Sequence, residues 1–169
     1  MKKLLLATTI LASVNASANT DFTLLGGLDT QNGLNVAAEV GFGAVSFGIK
    51  GLGSIESTLS GVNPDNGKLI NVTENQDDLS LYGGYRLGNG MSVKAGAVWS
   101  TYSLKAQEDG VAKIDESKSV IRPMIGFGYD FSDRFTMDLH YTMSSSVDTA
   151  PSMEYKFEDS FTFLAGYRF

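Results

Sequence analysis

Phe135-Thr136-Met137-Asp138-Leu139-His140-Tyr141-Thr142-Met143-Ser144 alternates without a break. Its odd positions are large and apolar, and its even positions are polar or charged. A period of two belongs to an extended strand with one apolar face and one polar face. The same alternation recurs on both sides of this stretch. With 135–144 it gives eight expected strands: 21–30, 34–42, 45–56, 79–88, 91–104, 119–130, 135–144 and 160–169. Several separators carry turn chemistry, among them Gln31-Asn32-Gly33, Gly43-Ala44, Gly88-Asn89-Gly90 and Phe131-Ser132-Asp133-Arg134. Asn and Gly accept the positive φ that tight hairpins need.

Sorting each strand into its two faces exposes an inversion. One face runs Phe22, Leu24, Gly26, Leu28, continues through Leu34 to Phe42, and ends with Phe161, Phe163, Ala165, Tyr167, Phe169. It comprises 41 positions and carries no charge, although 19% of the chain is charged. About eight charges would fall there by chance. The opposite face is small, polar and charged, with glycines at 27, 41, 48, 84, 96, 126, 128 and 166. A soluble barrel or sandwich would turn the apolar face inward, and a membrane barrel turns it toward lipid. Volume separates the two. The apolar face holds thirteen of the eighteen aromatic residues, more than eight short strands can enclose. The Gly, Ser and Thr of the other face suit an eight-stranded interior, which is just wide enough for side chains to fill. The expected fold is therefore all-β: an eight-stranded antiparallel up-and-down transmembrane barrel. Aromatics near the short turns and chain ends (Phe22, Phe42, Phe47, Tyr85, Tyr129, Phe135, Tyr167, Phe169) and near the far rim (Trp99, Tyr141, Phe161) fit two interfacial girdles.

The N-terminus carries an address. Lys2 and Lys3 precede an apolar run from Leu4 to Ala12, and Ala16-Ser17-Ala18 is a small-residue cleavage site. This order reads as a secretory signal peptide over 1–18, leaving a barrel domain over 19–169 of 151 residues and charge −8. No later segment approaches the roughly 18 apolar residues of a membrane-spanning helix. With the first strand running outward, the connections at 43–44, 88–90 and 131–134 fall on the periplasmic side and are short. Those at 57–78, 105–118 and 145–159 fall outside and are long, while 31–33 is a short exception. Short periplasmic turns with longer outer loops are the outer-membrane pattern.

Composition excludes several function classes. There is no cysteine, so no disulfide scaffold, thiolate metal site or thiol nucleophile exists here. Thirteen basic residues against nineteen acidic ones argue against nucleic acid as a partner. One histidine leaves little room for a metal centre, and no cofactor is implied.

Phe161-Thr162-Phe163-Leu164-Ala165-Gly166-Tyr167-Arg168-Phe169 ends in alternating aromatics with a terminal Phe. It resembles the assembly signal of Gram-negative outer-membrane barrels. Tyr82-Gly83-Gly84-Tyr85-Arg86-Leu87 and Gly128-Tyr129-Asp130-Phe131-Ser132-Asp133-Arg134-Phe135 resemble the opacity-protein and OmpA-like small barrel group, often called the porin-like family. The resemblance covers 20–169. It implies location in the outer membrane among its lipid and lipopolysaccharide, and insertion by the barrel-assembly machinery, with Tyr167 and Phe169 as recognition residues. Ending at Phe169, the chain is expected to lack the peptidoglycan-binding domain of full OmpA-type proteins.

The polar face gathers a lumen charge network: Glu39, Lys50, Arg86, Lys94, Arg122, Asp130, Asp138, His140 and Arg168, with Asp21, Asp29 and Glu56 as further acids. Buried charges must pair. Neighbouring-strand register puts Glu39 a diagonal step from Lys50, and Asp138 near Arg122 or Met124. The network reads as a plug of salt bridges or as the gate of a narrow ion path. His140 and Asp138 share a face near Thr136, Thr142 and Ser144, which invites a hydrolase reading. Lipid-modifying barrels draw substrate from the lipid phase, however, whereas His140 points inward. No catalytic residue is assigned. The outer connections carry the functional weight. They contain Pro64-Asp65-Asn66-Gly67, the acids Glu74, Asp77 and Asp78, and an Asp109-Gly110 hairpin signal between alternating flanks that can extend as paired ribbons. The acidic clusters lack regular calcium-loop spacing. The functions in view are a non-enzymatic surface barrel whose loops serve adhesion, host contact or envelope integrity; a narrow channel; and a lipid-modifying enzyme.

Overall fold

Each expected strand but one corresponds to a single element of the computed structural model, which describes residues 20–31, 33–52, 55–64, 67–150 and 153–169. The expected signal peptide lies outside the described residues. So do Asn32, Gly53, Ser54 and the Asp65-Asn66 pair of the Pro64–Gly67 turn. The strands are β1 (Thr20–Asp29), β2 (Gly33–Phe42), β3 (Val45–Leu52), β4 (Ile55–Val62), β5 (Leu69–Arg86) and β6 (Met91–Glu108). They continue as β7 (Val111–Asp130), β8 (Phe135–Thr142), β9 (Ser145–Ala150), β10 (Met153–Phe157) and β11 (Ser160–Arg168). Ladders run antiparallel in the order β3-β2-β1-β11-β8-β7-β6-β5, and pairing of β3 with β5 closes the barrel at eight strands. β4 continues the wall above β3, paired to the upper half of β5. β9 and β10 form a separate hairpin. No helix is long and apolar enough to cross a membrane; the crossing is made by strands.

The wall is inverted. Leu28, Leu34, Phe47, Leu81, Ile125, Phe127, Phe135 and Phe163 are exposed on the outside, while Thr23, Asn35, Lys50, Arg122, Asp138 and His140 are buried inside. Phe22 keeps its expected outward side, between inward-facing Asp21 and Thr23, but is covered there. It is buried under Phe169, whose ring centroid lies 6.2 Å away and whose amide donates to the Phe22 carbonyl at 2.8 Å.

The last apolar row on the outside is Leu79, Trp99 and Ile121; the next row up is Asp77, Thr101 and Ser119. Polarity therefore switches in one step, and this row marks the outer membrane boundary. Eight residues of β5 and its turn separate Leu79 from Leu87. At about 3.3 Å per residue and about 40° of tilt they span about 20 Å, near the apolar band of outer-membrane barrels.

Above this boundary the expected long loops are largely strand. β5, β6 and β7 run 18, 18 and 20 residues, so 57–62, 69–78, 105–108 and 111–118 are paired ribbon. The physical reason is visible on the outer side of that ribbon. Thr58 meets Thr73, Ser60 meets Asn71, Thr101 meets Ser119 and Ser103 meets Ser117 in a hydroxyl ladder. β-Branched and hydroxyl side chains suit a solvated pleat. Asp109 (φ 50°) and Gly110 (φ 77°) close the ribbon in a two-residue turn.

One further difference follows from a bulge. Gly51 pairs with Leu79 and Ile55 with Gln76, so the β3–β4 side takes four steps where β5 takes three. The extra residue reverses the faces. Glu56, expected in the lumen, is consequently exposed beside Asn75 on the outer side.

Candidate functional site

Three layers of charge fill the lumen. Nearest the periplasm, Arg86 (β5) forms a two-pronged pair with Asp21 (β1), one prong at 2.7 Å. Arg168 (β11) donates to Asp130 (β7) at 2.7 Å and stands 3.7 Å from Asp21. In the middle, the Lys94 ammonium (β6) lies between Glu39 (β2) and Asp138 (β8) and donates to both. Tyr82 donates to Glu39 at 2.9 Å. The His140 ring sits edge-on to Tyr82, centroids 5.0 Å apart.

The upper layer is a relay and an anchor. Lys50 donates to the Thr162 hydroxyl at 2.9 Å, which donates to Asp29 at 2.6 Å. The Arg122 guanidinium is fully buried and donates to the carbonyls of Met143 (2.8 Å) and Glu158 (2.5 Å). Asp78 stands 3.9 Å from it. Phe157, itself buried, places its ring 5.5 Å from the guanidinium, and Tyr155 stacks on Tyr102 at 3.8 Å.

The expected pairings are corrected. Glu39 meets Lys94 and Tyr82, not Lys50, and Asp138 meets Lys94, not Arg122. Ladder register sees only adjacent strands, whereas these contacts join strands that are not neighbours in the sheet. Asp78, expected among the loop acids, belongs to the upper layer. Its signal was present, since it sits two residues before Ser80 and shares its face. The aromatic cover from Tyr155 and Phe157 had no signal, because it depends on how β9–β10 folds back.

The width of this barrel is set by glycine. A Cβ on Gly48 would come within 2.3 Å of the Tyr82 ring, and one on Gly126 within 2.6 Å of the His140 ring. His140 and Asp138 are neighbours (Nε2 to Oδ2, 3.9 Å), yet neither ring nitrogen contacts a hydroxyl.

Outside the membrane span, burial and then the Glu74 carboxylate push the Tyr102 phenol up to about 12. The Ser144 amide, donating at 2.6 Å, holds the Asp159 carboxyl below the usual carboxylate range. At the C-terminus, Tyr167 and Phe169 rings lie 5.0 Å apart, Tyr167 is 5.3 Å from Phe135, and Phe169 is exposed.

Charge is partitioned by height. The connections 53–78, 105–118 and 145–159 hold thirteen acids and five lysines, a net −8. The remainder of 19–169 holds six of each sign and is neutral.

No curated protein matches this sequence. Among solved structures the chain is similar to Ail, the attachment invasion locus protein of Yersinia pestis, crystallised with the heparin analogue sucrose octasulfate. That match has TM-score 0.57 and 12% identity, covering 89% of this chain and 96% of that one. A second Ail crystal structure gives TM-score 0.56 at 13% identity, over 89% and 95%. Neisserial surface protein A gives 0.47 at 11%, over 88% and 92%. At these identities the likeness establishes the fold. A family model described as "Outer membrane protein beta-barrel domain" matches residues 6–169. With the inverted wall and the girdled span, this match shows that the chain belongs to the outer-membrane protein β-barrel family and resides in the outer membrane of a Gram-negative bacterium.

Proposed function

We propose that this is a non-enzymatic surface barrel whose protruding ribbon makes the functional contacts, in adhesion, host contact or envelope integrity. The observation that carries this reading is the division of the chain. The lumen holds buried, paired charges, with the Phe157 ring against the Arg122 guanidinium. A four-stranded ribbon of β4 and the upper halves of β5, β6 and β7 stands clear of the membrane. At about 3.3 Å per residue, the nine residues of β6 above Trp99 reach about 30 Å along the strand. Rigid scaffolds place function on what they hold out.

Its partners on this reading are outer-membrane lipid and lipopolysaccharide around the girdles, and the barrel-assembly machinery at Tyr167 and Phe169. A surface ligand meets the ribbon. The sulphated sugar of the Ail complex is a poor guide to that ligand, because the outer segments, Asp78 of the lumen aside, carry −7 and repel polyanions. Among the described residues neither nitrogen of the buried His140 ring has a hydrogen-bond partner, which favours a structural role for it over a catalytic one.

The test replaces 57–74 and 104–116 by short turns, cutting between the matched pairs Glu56–Asn75 and Ser103–Ser117. The trimmed barrel is expected to fold and show heat-modifiable migration, while cells carrying it lose surface attachment. Attachment undiminished by the trim would overturn the reading.

A further inference from the structure

Above the membrane boundary, the face of the ribbon that continues the lumen wall is built unlike its outer side. Register places Leu59 (β4), Val72 (β5), Ala106 (β6) and Ile114 (β7) in one unbroken row across four strands. Leu59 is 69% exposed and Ile114 44%. In the adjacent row Glu74 and Glu116 flank Leu104, and neither has an ion-pair partner among the described residues. The outer side of the same strands is a closed hydroxyl ladder that satisfies itself. Apolar surface in a row, rimmed by carboxylates, is an unfinished surface.

The chain shows what kind of cover this face accepts. Its lower part is already covered by the β9–β10 hairpin, whose Tyr155 stacks on Tyr102 and donates to Gln76 at 3.2 Å. Two rows above Tyr102, Leu59 and Ile114 remain exposed. A polyanion or an anionic lipid surface is disfavoured by the glutamates. A second copy of this chain would bring the same glutamates against them. What complements the surface is a segment with apolar residues on one side and Lys or Arg on the other.

We propose that the lumen-side face of the β4–β7 ribbon binds a cationic amphipathic peptide segment. Its apolar side rests on the Leu59–Val72–Ala106–Ile114 row, and its basic residues meet Glu74 and Glu116. This rests on the reading of the ribbon as the functional surface and names the chemistry of its partner.

The probe is a fluorescein-labelled ten-residue peptide alternating Lys and Val, titrated by anisotropy against the refolded barrel in zwitterionic-lipid nanodiscs, with empty nanodiscs as blank. Saturable binding in 50 mM salt is expected, weakened severalfold at 300 mM. The Glu74→Gln/Glu116→Gln variant is expected to lose about tenfold in low salt. Leu59→Ser/Ile114→Ser is expected to lose about tenfold at both salts. Thr73→Ala and Ser103→Ala on the outer side serve as folded controls and leave binding unchanged. No binding above the blank overturns the proposal, as does equal binding by the trimmed barrel, by both face variants, or by a Glu-Val peptide. If the peptide fails while attachment still depends on the ribbon, the partner chemistry is wrong and the ribbon reading stands. If attachment also survives trimming, both fall.

Discussion

Replacing Lys94 by Met tests whether the middle layer is held by electrostatics or merely filled. Lys94 is 6% exposed, Glu39 4% and Asp138 1%, so solvent cannot replace the ammonium once it is removed. Two carboxylates would then face one another across a narrow lumen with only the Tyr82 hydroxyl donating. Breaking a buried pair by removing one partner costs about 3–5 kcal/mol, and two orphaned acids place Lys94→Met at the upper end. Removing one acid is different in kind. Glu39→Gln leaves a one-to-one Lys94–Asp138 pair and keeps an acceptor for Tyr82, so it should cost about 1 kcal/mol. The triple variant Lys94→Met/Glu39→Gln/Asp138→Asn removes every charge of the layer and should recover most of the loss. The chain has one tryptophan, Trp99, on the lipid-facing rim, so its fluorescence in lipid vesicles reports insertion. With a urea slope of about 2 kcal/mol/M, Lys94→Met should move the midpoint by roughly 2 M and Glu39→Gln by about 0.5 M. Equal shifts from Lys94→Met and Glu39→Gln would refute the charge argument, as would a triple variant as unstable as Lys94→Met.

Four other outcomes follow. Gly48→Val drives a side chain into the Tyr82 ring and should cost about 1–3 kcal/mol of overpacking strain, read as a lower urea midpoint; an unchanged midpoint would mean the lumen has slack. Asp159 has a carboxyl pKa depressed by the Ser144 amide, so its contribution is full above the unfolded value of about 3.9 and is lost as pH falls through the lower folded value. The Ser144 amide resonance should therefore hold steady at pH 5 and shift only below the ordinary carboxylate range; a midpoint above that range would contradict the assignment. Phe169→Ala removes the ring on Phe22 and the proposed recognition residue, and should lower assembly in cells severalfold while detergent refolding reaches the same barrel; normal cellular assembly would dismiss the recognition role. Planar bilayers holding the mature chain should stay silent, and reproducible steps altered by Lys94→Ala would restore the channel reading.

The barrel portion was legible because lipid imposes one rule on every strand at once. Forty-one chargeless alternate positions need no knowledge of which strands touch. What the alternation does not carry is whatever is decided between strands that are not neighbours. Lys94 finds Glu39 on β2 and Asp138 on β8, three strands that are not neighbours in the sheet, so ladder reasoning paired Glu39 with Lys50 instead. The bulge after Gly51 leaves no composition signature, yet it turns Glu56 outward. Beyond Trp99 the period of two persists while its polarity reverses. Thr101, expected on the lipid face, opens the solvated one, while the ribbon expected from the Asp109-Gly110 signal is present and longer than that signal alone implies.

The vertical partition of charge ties these observations together. An unmatched charge in the lumen is expensive, and there five bases (Lys50, Arg86, Lys94, Arg122, Arg168) face six acids (Asp21, Asp29, Glu39, Asp78, Asp130, Asp138). No such constraint acts above the Thr101 row, where solvent screens each group. Leaving aside Asp78, which belongs to the upper lumen layer, the segments 53–77, 105–118 and 145–159 carry twelve acids and five lysines, a net −7, on and beside a ribbon whose outer side already satisfies itself. A field of that sign steers cationic partners toward the ribbon and turns polyanions away before any contact forms. Long-range attraction and short-range fit thus point to the same partner chemistry: charge brings a basic segment in, and the Leu59 row gives it a place to rest.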